Sequence, residues 1–557
     1  MRNLTRILFY HFRPIFFLLV FFSFKNVTAQ QTSNKKIFTA EDSLLGSNGI
    51  GRSGWDVLHY DITVQPDFTS KTIKGKNSIY FISLNKEKMQ IDLQEPMEID
   101  SIFIENKPCS FVREKNVFWL ELPSSLHTRA TMDIYFHGKP REAVNPPWDG
   151  GWVWVKDNND NPWMSVACQG IGASVWYPCK DLQSDKADSG ATLRIIVPDS
   201  LTGIGNGRLI SAKSVRPGFK EYIWDVKSPI NNYNIIPYIG KYKQFENTLT
   251  CLNGKLDMNF WVLEYNLQKA KIHFADAKRT IKAFEYWMGP YPFYRDGYKL
   301  VEAPYLGMEH QSNIAYGNDY KLGYMGEDLS GTGWGLKWDF IIVHESGHEW
   351  FGNSITSKDI ADMWIHEGFT NYSEALFTDY WYGNKASDEY VIGLRKNIEN
   401  DKPIIGPYGV HEEGSGDMYY KAANMIHIIR KLLNDDALFR NLLRALNKQF
   451  YHATVTTKQV ENFIIKKTGK NLESLFDQYL RTTKIPLLEY SVHKDCIRYR
   501  WQNTVKDFYL PIKVSLGETG KMFWITPSER WQSIKNIDAD SIRVDENFYV
   551  ETRKITQ

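Results

Sequence analysis

Cysteine is scarce, with five in 557 residues: Cys109, Cys168, Cys179, Cys251 and Cys496. So few and so scattered, they exclude a disulfide-held miniature scaffold, and none has the spacing of a cysteine zinc site. Buried free thiols are the expected state of Cys168 and Cys179, a pair across a loop in an oxidising compartment being the alternative. Long apolar runs are missing too, for beyond the N-terminus no stretch approaches the about 18 residues that a membrane helix needs. Repeats and low-complexity segments are absent. Neither sign of charge dominates, with 67 basic against 65 acidic residues, so no nucleic acid or other polyanion is implied as a partner.

The one strongly apolar segment is the N-terminus. Arg2, Arg6 and Arg13 precede the run Ile15 to Phe22, and Val27-Thr28-Ala29 offers a small-residue cleavage site. Residues 1–29 are expected to be a signal peptide, with a mature chain starting near Gln30 in the periplasm or outside the cell, without stable membrane insertion. Its removal takes away four basic and no acidic residues, moving the formal net charge from +2 to −2.

With 43% hydrophobic and 14% aromatic residues, the chain can bury large cores and divide into several domains. From Trp55 to about Phe245, short runs such as Tyr60-Asp61-Ile62-Thr63-Val64 alternate apolar and polar residues between Gly, Pro and Asn clusters, which predicts strands. Near Leu267 the period changes: Phe274, Ala277, Ile281, Phe284 and Met288 mark one helix face, ending at Gly289-Pro290. Beyond Ile485 alternation returns. The expected architecture is multidomain α+β: a β-domain over 30–245, a catalytic domain over 246–483 and a small β-domain over 484–557.

The most informative stretch is His344-Glu345-Ser346-Gly347-His348, followed after eighteen residues by Glu367. On a helix, positions four apart share a face, so His344 and His348 can aim two imidazole nitrogens at one point. Neutral imidazole suits zinc. Glu345 cannot easily join the same coordination sphere but can reach a water beside it, which makes it a base rather than a ligand. Glu367, on a helix expected from Asp362 to Tyr382, is the candidate third ligand. Phe340-Ile341-Ile342-Val343 before the motif and Trp350-Phe351 after it place it on a buried helix, where Gly347 leaves room for close packing or for substrate. The chemistry is that of a zinc peptidase.

Where in a peptide such a site cuts depends on a group that measures distance from a chain end. Glu309 in Leu306-Gly307-Met308-Glu309-His310, on an expected edge strand, could pair with a free α-ammonium. An acidic residue on such a strand is otherwise ordinarily solvated.

Over most of the mature length, this pattern resembles the gluzincin zinc aminopeptidases, which include aminopeptidase N and leukotriene A hydrolase. His344, Glu345, His348 and Glu367 match that family's zinc site in identity and spacing, and Trp350-Phe351-Gly352-Asn353 matches the tail of its first helix. The family's Gly-x-Met-Glu-Asn strand corresponds to residues 306–310. This implies amine recognition by Glu309 and substrate contacts from Gly307 and Met308, although Leu306 and His310 depart from the pattern. His366 replaces an asparagine; as a fourth ligand it would point about 100° away from Glu367 on a helix. Tyr419-Tyr420-Lys421-Ala422 resembles the family's Tyr-x-Lys-Gly, so Tyr419 is the implied oxyanion donor, with Tyr420 as fallback. Gln169 falls where a family glutamine meets the first substrate residue. Glu374, seven residues after Glu367, could hydrogen-bond a ligand histidine, and a solvated carboxylate is its other reading.

The resemblance implies an N-terminal β-sandwich-like domain, a thermolysin-like α/β catalytic domain and one bound zinc ion. The chain is expected to lack the large helical C-terminal domain of many relatives, leaving the site more open or its closure to a partner. It also implies removal of N-terminal residues from peptides that carry a free amino terminus. The rivals are a zinc endopeptidase on the same scaffold and a catalytically silent peptide-binding protein.

Overall fold

The strands begin at Trp55, where alternating residues bury one face. Trp55–Asp67 pairs antiparallel with Thr72–Ser83 and parallel with Ala191–Pro198, at the centre of an eight-stranded sheet. A second sheet of four strands, Gly151–Lys156, Pro162–Ala167, Tyr238–Gly240 and Thr202–Ile204, shares its core: Ile62, Val64 and Phe81 from the first join Trp152, Met164 and Ile239 from the second. Two sheets burying their inner faces against each other are the expected sandwich. The computed structural model describes residues 37–556 except 85–87, 124, 125, 127, 494, 495, 518, 519 and 536–539. The signal peptide expected at 1–29 lies outside the described residues.

A five-stranded mixed sheet follows, in the order Tyr242–Cys251, Gly254–Leu263, Tyr298–Glu302, Ile314–Tyr316, Gly307–Met308. The last is an antiparallel edge strand, with Met308 opposite Ala315. Glu309 therefore sits one residue beyond the edge strand rather than on it. Ala275–Met288, stopped by Gly289 at φ 97°, and Phe340–Gly347 pack against this sheet; Trp364–Tyr382 lies on those two helices and Tyr420–Leu433 on Trp364–Tyr382. Asp362 precedes the helix in which it was expected, in a short 3-10 turn over Ile360–Asp362, because its carboxylate accepts hydrogen bonds from Thr457 and Tyr408 instead.

Among the described residues no helix follows Arg481, and the remainder forms a four-stranded and a three-stranded sheet. These strands continue the helical core, since Leu488, Trp501 and Val514 belong to the same buried cluster as Phe476, Tyr479 and Leu480. All five cysteines are free thiols, Cys168 and Cys179 both buried. Among the described residues no helix is long and apolar enough to cross a membrane.

Candidate active site

Asp339 starts the motif helix. Its carboxylate caps the first turn, accepting from the Ile342 amide at 3.0 Å, and is held by Tyr316 Oη at 2.8 Å and His273 Nε2 at 2.6 Å. Such a cap contributes on the order of 1 kcal/mol. Here it also ties the helix to the central sheet through Tyr316. Phe340 to His348 are all buried.

His344 and His348 bring their Nε2 atoms to 3.3 Å. Each outer nitrogen has an acceptor: Glu374 Oε1 lies 2.7 Å from His344 Nδ1, and the Phe351 carbonyl oxygen 3.0 Å from His348 Nδ1. Because these oxygens accept, each Nδ1 carries the proton and each Nε2 presents a lone pair. Two lone pairs so close repel unless a cation lies between them. Glu367 Oε2 lies 3.6 and 3.4 Å from the same two nitrogens and, although buried, has no hydrogen-bond partner among the described residues. Burial alone would raise the Glu367 carboxyl, but positive charge on the paired imidazoles holds it well below the usual carboxylate range, and a metal cation held by the neutral imidazoles would supply the same charge. Two nitrogens and one oxygen within 4.8 Å of one another, facing an open cavity, form a donor set that fits zinc.

Helix spacing explains the supports. Glu367 and Glu374 are seven residues apart, so both face the motif helix. Glu374 also accepts from Asn371 Nδ2 at 2.9 Å and Tyr390 Oη at 2.6 Å, which fixes the carboxylate that orients His344. Gly347 lets the two helices close, for a Cβ there would stand 2.5 Å from Ser373 Oγ. His366 turns away from the ligands and accepts from the Ser357 amide at 2.8 Å; burial pushes its imidazole down to about 3, so it is neutral and no fourth ligand.

Glu309, Glu345 and His348 also converge within 4.8 Å. Burial foremost raises both carboxyls, Glu345 to about 7, with Glu367 adding to each and the imidazoles opposing. A buried glutamate near 7 is matched to taking and returning a proton. Gly307 allows the edge strand to run close to it, since a Cβ there would stand 2.8 Å from Glu345 Oε1. Three groups hold Glu309: Gln169 Nε2 and Tyr233 Oη, the latter at 3.1 Å, both donate to its Oε1, and Asn353 Nδ2 donates to its carbonyl at 2.7 Å. Gln169 and Tyr233 come from the N-terminal β-region.

Tyr419 and Tyr420 both line the cavity, but their surroundings differ. The Tyr419 ring stacks on His344, with centroids 6.1 Å apart, and after burial it is Glu367, Glu413, Glu309 and Glu345 that raise its hydroxyl. For Tyr420 the nearby charge is Glu374. Tyr419 is thus the phenol that faces the cavity carboxylates. The cavity, about 530 Å³, is lined by Gln169, Gly307, Met308, Glu309, His344, Glu345, His348, Glu367 and Tyr419, which unites every site residue expected from the sequence. A larger cavity of about 790 Å³, near Gly289–Arg295 and Arg444–His452, holds none of them.

Sequence reasoning missed Tyr233, Tyr390 and the cap Asp339. The only local trace of the first is that Asn231-Asn232-Tyr233-Asn234 interrupts strand alternation with polar residues that are nonetheless buried.

Comparison with known proteins gives two family models, the peptidase M1 N-terminal domain over residues 57–233 and the peptidase family M1 domain over 273–479. Human endoplasmic reticulum aminopeptidase 1 is 20% identical over 429 residues, covering 71% of this chain and 44% of that protein. Leukotriene A-4 hydrolase from Xenopus laevis is 21% identical over 441 residues, covering 74% and 68%. The chain spans less than half the length of the first of these. Among solved structures, an M1 zinc metallopeptidase from Deinococcus radiodurans superposes with a TM-score of 0.67 at 18% identity, covering 78% of this chain and 95% of that one. A mutant of that protein bound to a Tyr-Ser-Ala substrate superposes equally well, at 19% identity, covering 78% of this chain and 96% of that one. The two models meet on either side of the cleft described above, one holding Gln169 and Tyr233 and the other the ligand triad, and on that basis the chain belongs to peptidase family M1.

Proposed function

We propose that this protein is a zinc aminopeptidase that removes N-terminal residues from peptides and is exported from the cytoplasm. The observation that carries the activity is the position of Glu309: a buried carboxylate, fixed by Gln169 and Tyr233, whose oxygen lies within 4.8 Å of the facing atoms of Glu345 and His348. A carboxylate so near the reacting centre fits a substrate whose ammonium group is adjacent to the scissile bond, and excludes by charge a chain that continues past it. Export rests on the sequence of residues 1–29.

His344, His348 and Glu367 would hold zinc, which when bound would supply Lewis acidity toward the scissile carbonyl and the attacking water. Glu345 takes a proton from the attacking water and returns it to the leaving amine. Glu309 holds the α-ammonium, and the Tyr419 hydroxyl donates to the oxygen that becomes negative as the carbonyl is attacked.

The test is hydrolysis of aminoacyl reporter substrates, free and N-acetylated, with and without chelator. Turnover is expected only on the free amine and only with metal. Equal cleavage of the acetylated substrate would assign the chain to the endopeptidases and remove Glu309 from its role.

A further inference from the structure

The cavity carries one carboxylate that the reaction leaves unused. Glu413 lines it alongside Glu309, Glu345 and Glu367, and among the described residues no lysine or arginine does. Glu413 makes no hydrogen bond or ion pair among the described residues; burial foremost, then Glu367, pushes it up to about 7, with exposed Lys402 opposing and Glu309 adding. A carboxylate in so acidic a setting is costly unless a cation answers it.

The loop that bears Glu413 is built to hold it there. Residues 398–415 have no regular structure, yet Ile405 donates to Leu480 O at 3.1 Å, Gly406 to Ala361 O at 3.1 Å, and Ser415 to Pro403 O at 2.9 Å. Asp417 accepts from the amides of Glu399 and Asn400 at 2.8 and 2.7 Å. Backbone meets backbone around Glu413 itself: a Cβ on Gly406 would stand 2.9 Å from Glu413 C, and one on Gly414 only 1.8 Å from Ile404 O. A long loop so firmly pinned, with an unpaired charge facing the cleft, is pre-organised for a ligand rather than left to solvent.

Charge counting names that ligand. Zinc and one α-ammonium would bring three positive charges to the four cavity carboxylates, which leaves Glu413 free to answer a cationic group on the substrate. We infer that Glu413 pairs with a cationic side chain on the first residue of the peptide, so that the enzyme selects N-terminal lysine and arginine. The first residue is the one concerned because Glu413 lines the same cavity as Glu309, which holds the α-ammonium, and Glu367, which faces the zinc position. Tyr324, Leu329, Met418 and Tyr420, lining the same cavity, offer apolar surface to the aliphatic stem of such a side chain.

This rests on the aminopeptidase reading above, and the experiment separates the two. Kinetics on lysyl, arginyl, leucyl and alanyl reporters are expected to show a basic preference in the wild-type enzyme. In Glu413→Gln, the ratio of kcat/KM for lysyl over leucyl substrate is expected to fall about 10- to 100-fold, the worth of one charge-assisted hydrogen bond. Glu413→Lys should invert the preference toward a glutamyl reporter. Calorimetry of Lys-Ala against Ala-Lys binding to the Glu345→Gln enzyme adds a readout without turnover, Lys-Ala being the tighter. Turnover with no basic preference, a ratio unmoved by Glu413→Gln, or tighter binding of Ala-Lys overturns the role of Glu413 alone. No turnover by the zinc-loaded wild type on any reporter overturns the aminopeptidase reading and this inference with it.

Discussion

The two walls of the cleft are made in different ways. The metal wall comes from two helices of one region: His344, His348, Glu367 and Glu374 all lie within 31 consecutive residues. The amine wall joins Glu309 to Gln169, 140 positions away, and to Tyr233, 76 away, across the boundary between the N-terminal sandwich and the mixed sheet. Metal geometry thus depends on helical pitch, whereas amine geometry depends on how two layers dock. Damage to the docking should therefore change what is accepted before it changes the metal.

The sharpest break of that contrast is Glu345→Gln, which faces both walls. Turnover should fall by about 10³-fold or more while metal content, measured by elemental analysis, stays at wild-type level. Glu309→Ala should lower kcat/KM on free-amine substrates on the order of 100-fold with metal affinity unchanged, because only the amine wall is touched. Glu374→Ala should do the converse, weakening metal affinity about 10- to 100-fold in competition with a chelator as His344 loses its orienting acceptor. A smaller effect, about 10-fold in KM for free-amine substrates, is expected for Tyr233→Phe, which removes one donor to Glu309 from the far side of the boundary.

The boundary itself can be probed by pH. Lys186, 6% exposed, reaches from the sandwich to the carbonyl oxygens of Asn353 at 2.7 Å and Ser354 at 3.1 Å, and burial lowers its ammonium from the usual lysine range to about 7. Below pH 7 both folded and unfolded states hold the proton and the cost of the buried charge is complete. Between pH 7 and about 10 the folded state sheds it while the unfolded chain keeps it, so stability contributed by this site rises with pH. The Tm of the wild type relative to Lys186→Met should increase over that window; a flat difference would place the charge in solvent.

Local periodicity made much of this legible. The i, i+4 histidines and the i, i+7 glutamates need only the pitch of a helix to be placed on one face, and Gly289 ends the preceding helix where its sequence says it should. Glu309 was only one of two readings of an acidic residue until the short Leu306 to His310 stretch was compared with the family's strand, since a two-residue edge strand carries almost no pattern of its own. Tyr233 was invisible because its partner is far away in sequence, and Asp339 because one aspartate before an apolar run does not reveal the tyrosine and histidine that also hold it. The strands after Leu487 were readable as strands, but not as part of the helical core, because alternation reports which face is buried and not against what.

By itself the sequence picked out the three candidate ligands, the candidate base and the order of β-rich and helical regions, all of which follow from spacing along one chain. Only the tertiary structure decided which nitrogen of each histidine faces the candidate zinc position, what holds Glu309, which tyrosine turns toward the carboxylates and that Glu413 makes no hydrogen bond or ion pair among the described residues. Those facts depend on hydrogen bonds and burial between segments tens to hundreds of residues apart, and such pairings exist only once the layers have packed.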